Sequence, residues 1–230
     1  MNINDVFENV VSVVNQSKGI VYDFLPSGFD AIFETKADEA LRTALRIRET
    51  LNTLNEKRNK NGLGEVDIRI FIAKGNIMLG FIGDEKRMEP TAISNESQKA
   101  DPVLNLCFDS DVYIACTREI LDELPKGIYR SRRIGHVMIN DEKVELFDLY
   151  DSDPYTLLKT KEVHAQRFEL GVNLFMKGDY ANARNMFMDI IKYSSLDGAA
   201  RNYMYLAEHN LRSENKQSTY TTIHEFERIR

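Results

Sequence analysis

The chain has 230 residues, 43% of them hydrophobic and 29% charged, with a formal net charge of −6. That length fits one medium domain plus a small appendage, and the acidic balance argues against a nucleic-acid partner, which clustered Lys and Arg would have to serve. No run approaches the length of a bilayer span, and Met1-Asn2-Ile3-Asn4-Asp5 lacks the basic start and apolar core of a secretory signal, so no membrane segment and a cytoplasmic location are expected.

Residues 4–17 set Val6, Phe7, Val10, Val11, Val13 and Val14 at helical spacing, which predicts a helix packed on a sheet. Gly19 to Phe24 and Phe29 to Glu34 read as strands around the turn triplet Pro26-Ser27-Gly28, hence a hairpin. Thr35 stands three before Asp38 in a capping-box-like start, and Ala37, Ala40, Leu41, Ala44, Leu45, Ile47, Leu51 and Leu54 form the stripe of a long helix that Asn61-Gly62 ends. Asp67 to Gly83 alternates, turns at Gly75-Asn76 and alternates again, which predicts a second hairpin. Residues 95–107 give no clear assignment; beyond them come a strand at 111–116, a short helix at 118–124 and strands at 128–133 and 144–150. Arg130, Arg132 and Arg133 read as a solvated strand face. The order of elements is that of an α+β sandwich with helices on one face.

Asp151-Ser152-Asp153-Pro154 is polar and precedes a change to purely helical periodicity, placing a domain boundary there: 1–150, 155–212 and a tail, 213–230. Within the second unit, Leu170, Gly171, Leu174, Gly178, Tyr180, Ala183 and Phe187 are spaced as in one tetratricopeptide repeat, where small residues let two antiparallel helices approach. A third helix near Ala199–Leu211 would cap the pair. Ser195 stands where such a repeat usually closes with Pro, and so short an array favours docking on the first unit over a free binding groove. Cys107 and Cys116 lack paired spacing and read as small core residues, while His136, His164, His209 and His224 are scattered, so neither a disulfide framework nor a metal site is expected.

Four segments carry a likeness: Ile3-Asn4-Asp5-Val6-Phe7, Gly19-Ile20-Val21, Gly80 to Met88, and Gly135 to Tyr150. In this order and spacing the chain resembles the class III adenylate and guanylate cyclases. The resemblance implies a ferredoxin-like α+β fold, to which the helical spacing after residue 154 adds a C-terminal helical hairpin, and it implies a site. The family uses two carboxylates to hold a pair of divalent cations. One would lie on a strand before Met1; Ser27 stands at the position of the other, and a neutral hydroxyl is a poor ligand for a hard dication. Asp30 could replace it only through a slip of the hairpin. The base-reading Lys position holds Asp23, of the opposite charge, and Thr91 fits the other base-reading position. Ser94-Asn95 replaces the Gly-Asp that precedes the catalytic helix, offering an N-cap but no phosphate-binding glycine. The ribose-orienting Asn falls on Gln98 and the charge-stabilising Arg on Pro102, which donates no hydrogen bond and is expected to interrupt that helix. With both halves of a composite site lost, the resemblance implies no catalytic residue, metal or cofactor. It implies a pseudo-cyclase acting through a homodimer or a protein partner; the alternatives are a tetratricopeptide-type interaction scaffold and an active cyclase with substitute ligands. A central first strand is missing from the likeness, and three sources could fill its slot: a longer chain, donation across a dimer, or the tail 218–226.

Overall fold

The computed structural model describes residues 3–34, 36–84 and 87–212. Thr35, the proposed start of a capping box, and the tail strand at 218–226 lie outside the described residues. The elements run α1 (Ile3–Gln16), β1 (Ile20–Leu25), β2 (Gly28–Ile32), α2 (Ala37–Lys60), β3 (Ile70–Ile72), β4 (Ile77–Asp84), β5 (Arg87–Ser94), α3 (Ser97–Asp109), β6 (Ile114–Thr117), α4 (Arg118–Glu123), β7 (Ser131–Ile139), β8 (Glu142–Leu149), α5 (Tyr155–Met176), α6 (Tyr180–Tyr193) and α7 (Gly198–Arg212).

The first half follows the expected local rules. Val6, Val10, Val13 and Val14 bury one stripe of α1 against Ile47 and Leu51 of α2 and against Phe29 and Ala31 of β2. Gly62, at φ +69°, ends α2: its N–H bonds Asn59 O at 3.1 Å and the Leu63 N–H bonds Arg58 O at 2.9 Å, the paired bonds of a Schellman cap. The β1–β2 turn falls at Pro26-Ser27 as read. Gly28 itself is the first residue of β2, outside the left-handed region.

The central sheet has the order β3-β6-β8-β7, with β3 parallel to β6 and the other pairs antiparallel. This corrects the hairpin expected over 67–83. The strand at Ile70–Ile72 enters the buried sheet, whereas β4 pairs with β5 in a separate two-stranded arm, from Ile77↔Ser94 to Asp84↔Arg87. The alternation was genuine, but the two runs differ in burial: Ile72 is in the core, while Met78 and Leu79 stay 71% and 62% exposed. A Gly-Asn dipeptide between two alternating runs therefore marks a break between strands without making them partners. Among the described residues no strand joins β2 to β3.

Helices cover both faces of the sheet, not one. Ile114, Cys116, Phe147 and Leu149 face α2 and α4, while Ala115, Val137, Val144 and Leu146 face α3 and the bundle of α5, α6 and α7. Strands buried on both sides lose the hydrophobic/polar alternation that would have announced the second layer. Cys107 and Cys116 are free and buried, as read from their spacing; burial pushes both thiols up, Cys116 to about 12, which makes them poor nucleophiles.

The unassigned segment 95–107 is largely α3, and Pro102 lies inside it. The expected interruption does not occur. Proline there forfeits one backbone bond, but Val103, Leu106 and Cys107 follow it into the core. Each such burial is worth about 1.5–3 kcal/mol for a full-sized side chain, which together exceed the proline cost of about 3 kcal/mol.

The helical segment forms three antiparallel helices. Gly171 admits the Phe187 ring, whose nearest atom would lie 2.8 Å from an added Cβ. Ala183 and Phe187 are fully buried, Leu174 and Tyr180 pack at the margin, and Gly178 makes the α5–α6 turn at φ +80°. Leu170 is the exception among the residues read as packing: it faces solvent, 51% exposed, because it sits on the far side of α5 from Phe168 and Val172. The helices' shared apolar face lies on the sheet, with the Tyr203 hydroxyl donating to Ile134 O at 2.7 Å beside the bulge at Gly135.

Candidate functional site

The residues singled out by the likeness fall on β1, the β1–β2 turn, β5 and the start of α3. Asp23 is exposed on β1 and pairs in register with Asp30 of β2. Ser27 is exposed in the turn. Asp30 is half-buried and occupied: its Oδ2 accepts a hydrogen bond from the Tyr22 hydroxyl at 3.1 Å, and the same hydroxyl lies 2.8 Å from Ser97 Oγ. Ser97 opens α3, so Tyr22 ties the hairpin to the first turn of that helix within one chain. Burial, followed by the nearby carboxylates, raises the Tyr22 pKa, keeping its proton available to Asp30.

Thr91 lies on β5 opposite Gly80. Asn95 is exposed in the turn before α3, and the N-cap position belongs to Glu96, which makes no side-chain cap bond. Ser94 is used differently from the expected cap: its hydroxyl accepts from the Glu96 N–H at 3.0 Å. Gln98 is exposed and weakly joined to Asn140 at the β7–β8 turn, 3.4 Å away. Pro102 is half-buried. The structure thus gathers Tyr22, Asp30, Ser97 and Gln98 near one helix start. Tyr22 and Ser97 were missed in the sequence, because a strand tyrosine and a helix-opening serine carry no signal on their own.

Next to that helix start, a cleft of about 840 Å³ runs between the β7–β8 hairpin, the start of α4 and the end of α5. Its walls carry cations, of which Lys74, Lys99, Arg118 and Arg133 are matched within the chain while Lys143 also lines it. Lys99 sits between Glu96 at 3.1 Å and Glu142 at 2.9 Å; burial opposes its charge, and the two carboxylates outweigh that and raise its pKa. Arg118 meets Glu145 at 3.0 Å and stacks on Phe147, and Lys74 meets Glu123. Such pairing leaves these groups poorly disposed to grip a triphosphate.

The residues present do not fit a pair of hard dications. The hairpin turn offers only the neutral Ser27 hydroxyl, Asp30 already accepts a bond from Tyr22, and among the described residues no three His, Cys, Asp or Glu side chains converge as a metal cluster.

No protein-family model matches the chain. Over 183 residues it is 22% identical to "Adenylate cyclase, terminal-differentiation specific" of Dictyostelium discoideum, covering 76% of this chain and 8% of that protein. Over 127 residues it is 22% identical to an adenylate cyclase of Anabaena cylindrica, covering 53% of this chain and 25% of that one. It thus spans a quarter or less of the length of these curated relatives. A bacterial light-regulated adenylyl cyclase structure superposes with a TM-score of 0.56 at 18% identity, over 68% of this chain and 48% of that chain. The α+β fold is that of nucleotide cyclase catalytic domains, and the relatives support a cyclase homology domain.

A second cluster was read wrongly in the sequence. Arg132, taken as part of a solvated strand face with Arg130 and Arg133, is buried between the sheet and α5–α7. It donates Nε to Asp148 at 3.0 Å, forks onto Asp197 at 2.6 and 2.9 Å, and lies 4.1 Å from the Phe168 ring. The reason is the second helical layer, which converts that strand face into an interior. Arg130 alone behaves as expected, exposed and paired with Asp151 and Glu162. No helix of the described residues is long and apolar enough to cross a membrane.

Proposed function

We propose that this cyclase-like module is catalytically inactive, a pseudo-cyclase that acts through dimerisation, regulation or binding of a protein partner. The observation that carries the reading is the hairpin turn: Ser27 stands where a metal carboxylate is needed, and the nearest substitute, Asp30, is held by Tyr22. Gln98 and Pro102 in place of the Asn and Arg compound the loss, since removing one preorganised donor costs about two to three orders of magnitude in rate. A segment or partner that supplied the other metal carboxylate would still meet this half-site.

The test is a direct assay of cyclic AMP and cyclic GMP formation with Mn²⁺ and ATP or GTP. No product above a heat-treated control is expected. Sustained turnover that Asp30→Ala abolishes would overturn the reading and identify Asp30 as a substitute ligand.

The scaffold alternative is disfavoured by one feature. The helices α5–α7 spend their common apolar face on their own sheet, which supports docking over a free groove. The boundary at 151–154 then divides two parts of the chain, 1–150 and 155–212, that share one core.

A further inference from the structure

Five charged side chains are sealed where the helices meet the sheet. Arg132 on β7, Asp148 on β8, Asp153 in the β8–α5 link, Lys161 on α5 and Asp197 before α7 are each at most 7% exposed. Lys161 Nζ lies 2.8 Å from Asp148 Oδ2 and 2.6 Å from Asp153 Oδ2, and donates to Asp111 O at 3.3 Å. Three carboxylates thus face two cations. Full ionisation would leave one negative charge uncompensated in a dry interior, at a cost that proteins commonly avoid by neutralising a group.

The three acids are not equally served. Asp197 takes both prongs of Arg132 and the Ala200 N–H at 3.2 Å; burial alone would raise its pKa, and Arg132 holds it below the ordinary value instead. Asp148 Oδ2 accepts a directed bond from Arg132 Nε and has Lys161 Nζ beside it. Asp153 has only Lys161, close but off the hydrogen-bonding direction, so that neither of its oxygens takes a directed bond.

We infer that Asp153 is a proton-controlled latch on the helical segment: protonated, it leaves the cluster neutral and α5–α7 seated on the sheet; ionised, it places an unpaired charge under α5 and loosens that seat. The groups facing it are Lys161 from α5, Asp148 from β8 and Arg132 from β7. Tyr150, with its ring 5.8 Å from Lys161, and Tyr113, ahead of β6, complete the surround, both phenols held protonated chiefly by burial. Burial pushes the Asp153 carboxyl up to about 7. The unfolded chain releases that proton near pH 3.9, so the native state holds the extra proton between about pH 4 and 7. Stability is highest below that window, falls as pH rises through it and levels off above about 7. The buried His164 and the half-buried His136 act in the opposite sense, because burial lowers their pKa and their contribution grows as pH rises toward about 6.5.

The experiment compares the full chain with Asp153→Asn, which mimics the protonated acid, by hydrogen exchange at α5 from about pH 5 to 9. Taking the ratio of opening equilibria cancels the histidines, which both proteins share. The wild-type value should rise relative to the variant roughly tenfold per pH unit between about pH 5 and 6.5, then plateau above about 7.5. A ratio independent of pH would overturn the inference. Should the variant not fold, the wild-type infrared spectrum decides: the C=O stretch of a buried carboxylic acid should be present near pH 5 and lost by about pH 9, and its absence at both would equally refute the latch.

Discussion

Arg132→Met is expected to destabilise the fold by about 3–5 kcal/mol, the cost of removing one partner from a buried ion pair and leaving the other uncompensated. Three facts on this side chain set the scale. It forks onto Asp197, bonds Asp148 and covers Phe168, all at positions closed to water. Its removal strands Asp197, leaves Asp148 to share Lys161 with Asp153, and also opens the contact between β7 and the start of α7. Urea denaturation of the full chain measures the loss. The informative control is the triple replacement Arg132→Met, Asp148→Leu, Asp197→Leu, which removes both carboxylate partners with the cation. That protein should recover most of the loss, because a buried ionic group can be exchanged for apolar volume at little cost. A loss below about 1 kcal/mol for Arg132→Met would mean that water reaches the cluster, and a triple variant no better than the single one would mean that packing, not charge, holds the junction.

The same cluster shows what could be read from the chain and what could not. Helix α2 was legible because its apolar spacing and the Asn61-Gly62 stop are local, and so was the strand β8; β7, read at 128–133, runs Ser131–Ile139, and its positive-φ turn at Asn140-Asp141 into β8 was not read. Arg132 was illegible because its burial depends on α5 and α7, which lie 23 or more residues further on. Likewise β3 and β4 each carry the strand pattern, yet which strand each one pairs with is decided by burial in the finished fold. At the candidate site, the expectation that Ser27, Gln98 and Pro102 replace family site residues came from the likeness alone. The Tyr22 bridge from Asp30 to Ser97 was not, since it spans 75 positions between Tyr22 and Ser97.

Phe187→Ala is expected to cost about 3–5 kcal/mol, or about 6–20 °C in thermal midpoint for a chain of this size. The ring is fully buried, stacks on Tyr203 at 5.0 Å between centroids and meets Phe168 edge-on at 5.5 Å, and the backbone of Gly171 leaves just enough room for it. Tyr203 in turn is bonded to Ile134 on β7. The cavity would therefore open at the centre of a cluster that runs from α3 through the sheet to α7, and the effect should not stay within the helical segment. Calorimetry distinguishes the two cases. One transition shifted as a whole means that the sheet and α5–α7 unfold together, so the polar link at 151–154 joins two parts of one cooperative unit. A separate early transition for the helices, with the sheet unmoved, would restore the division at that link and refute the shared core.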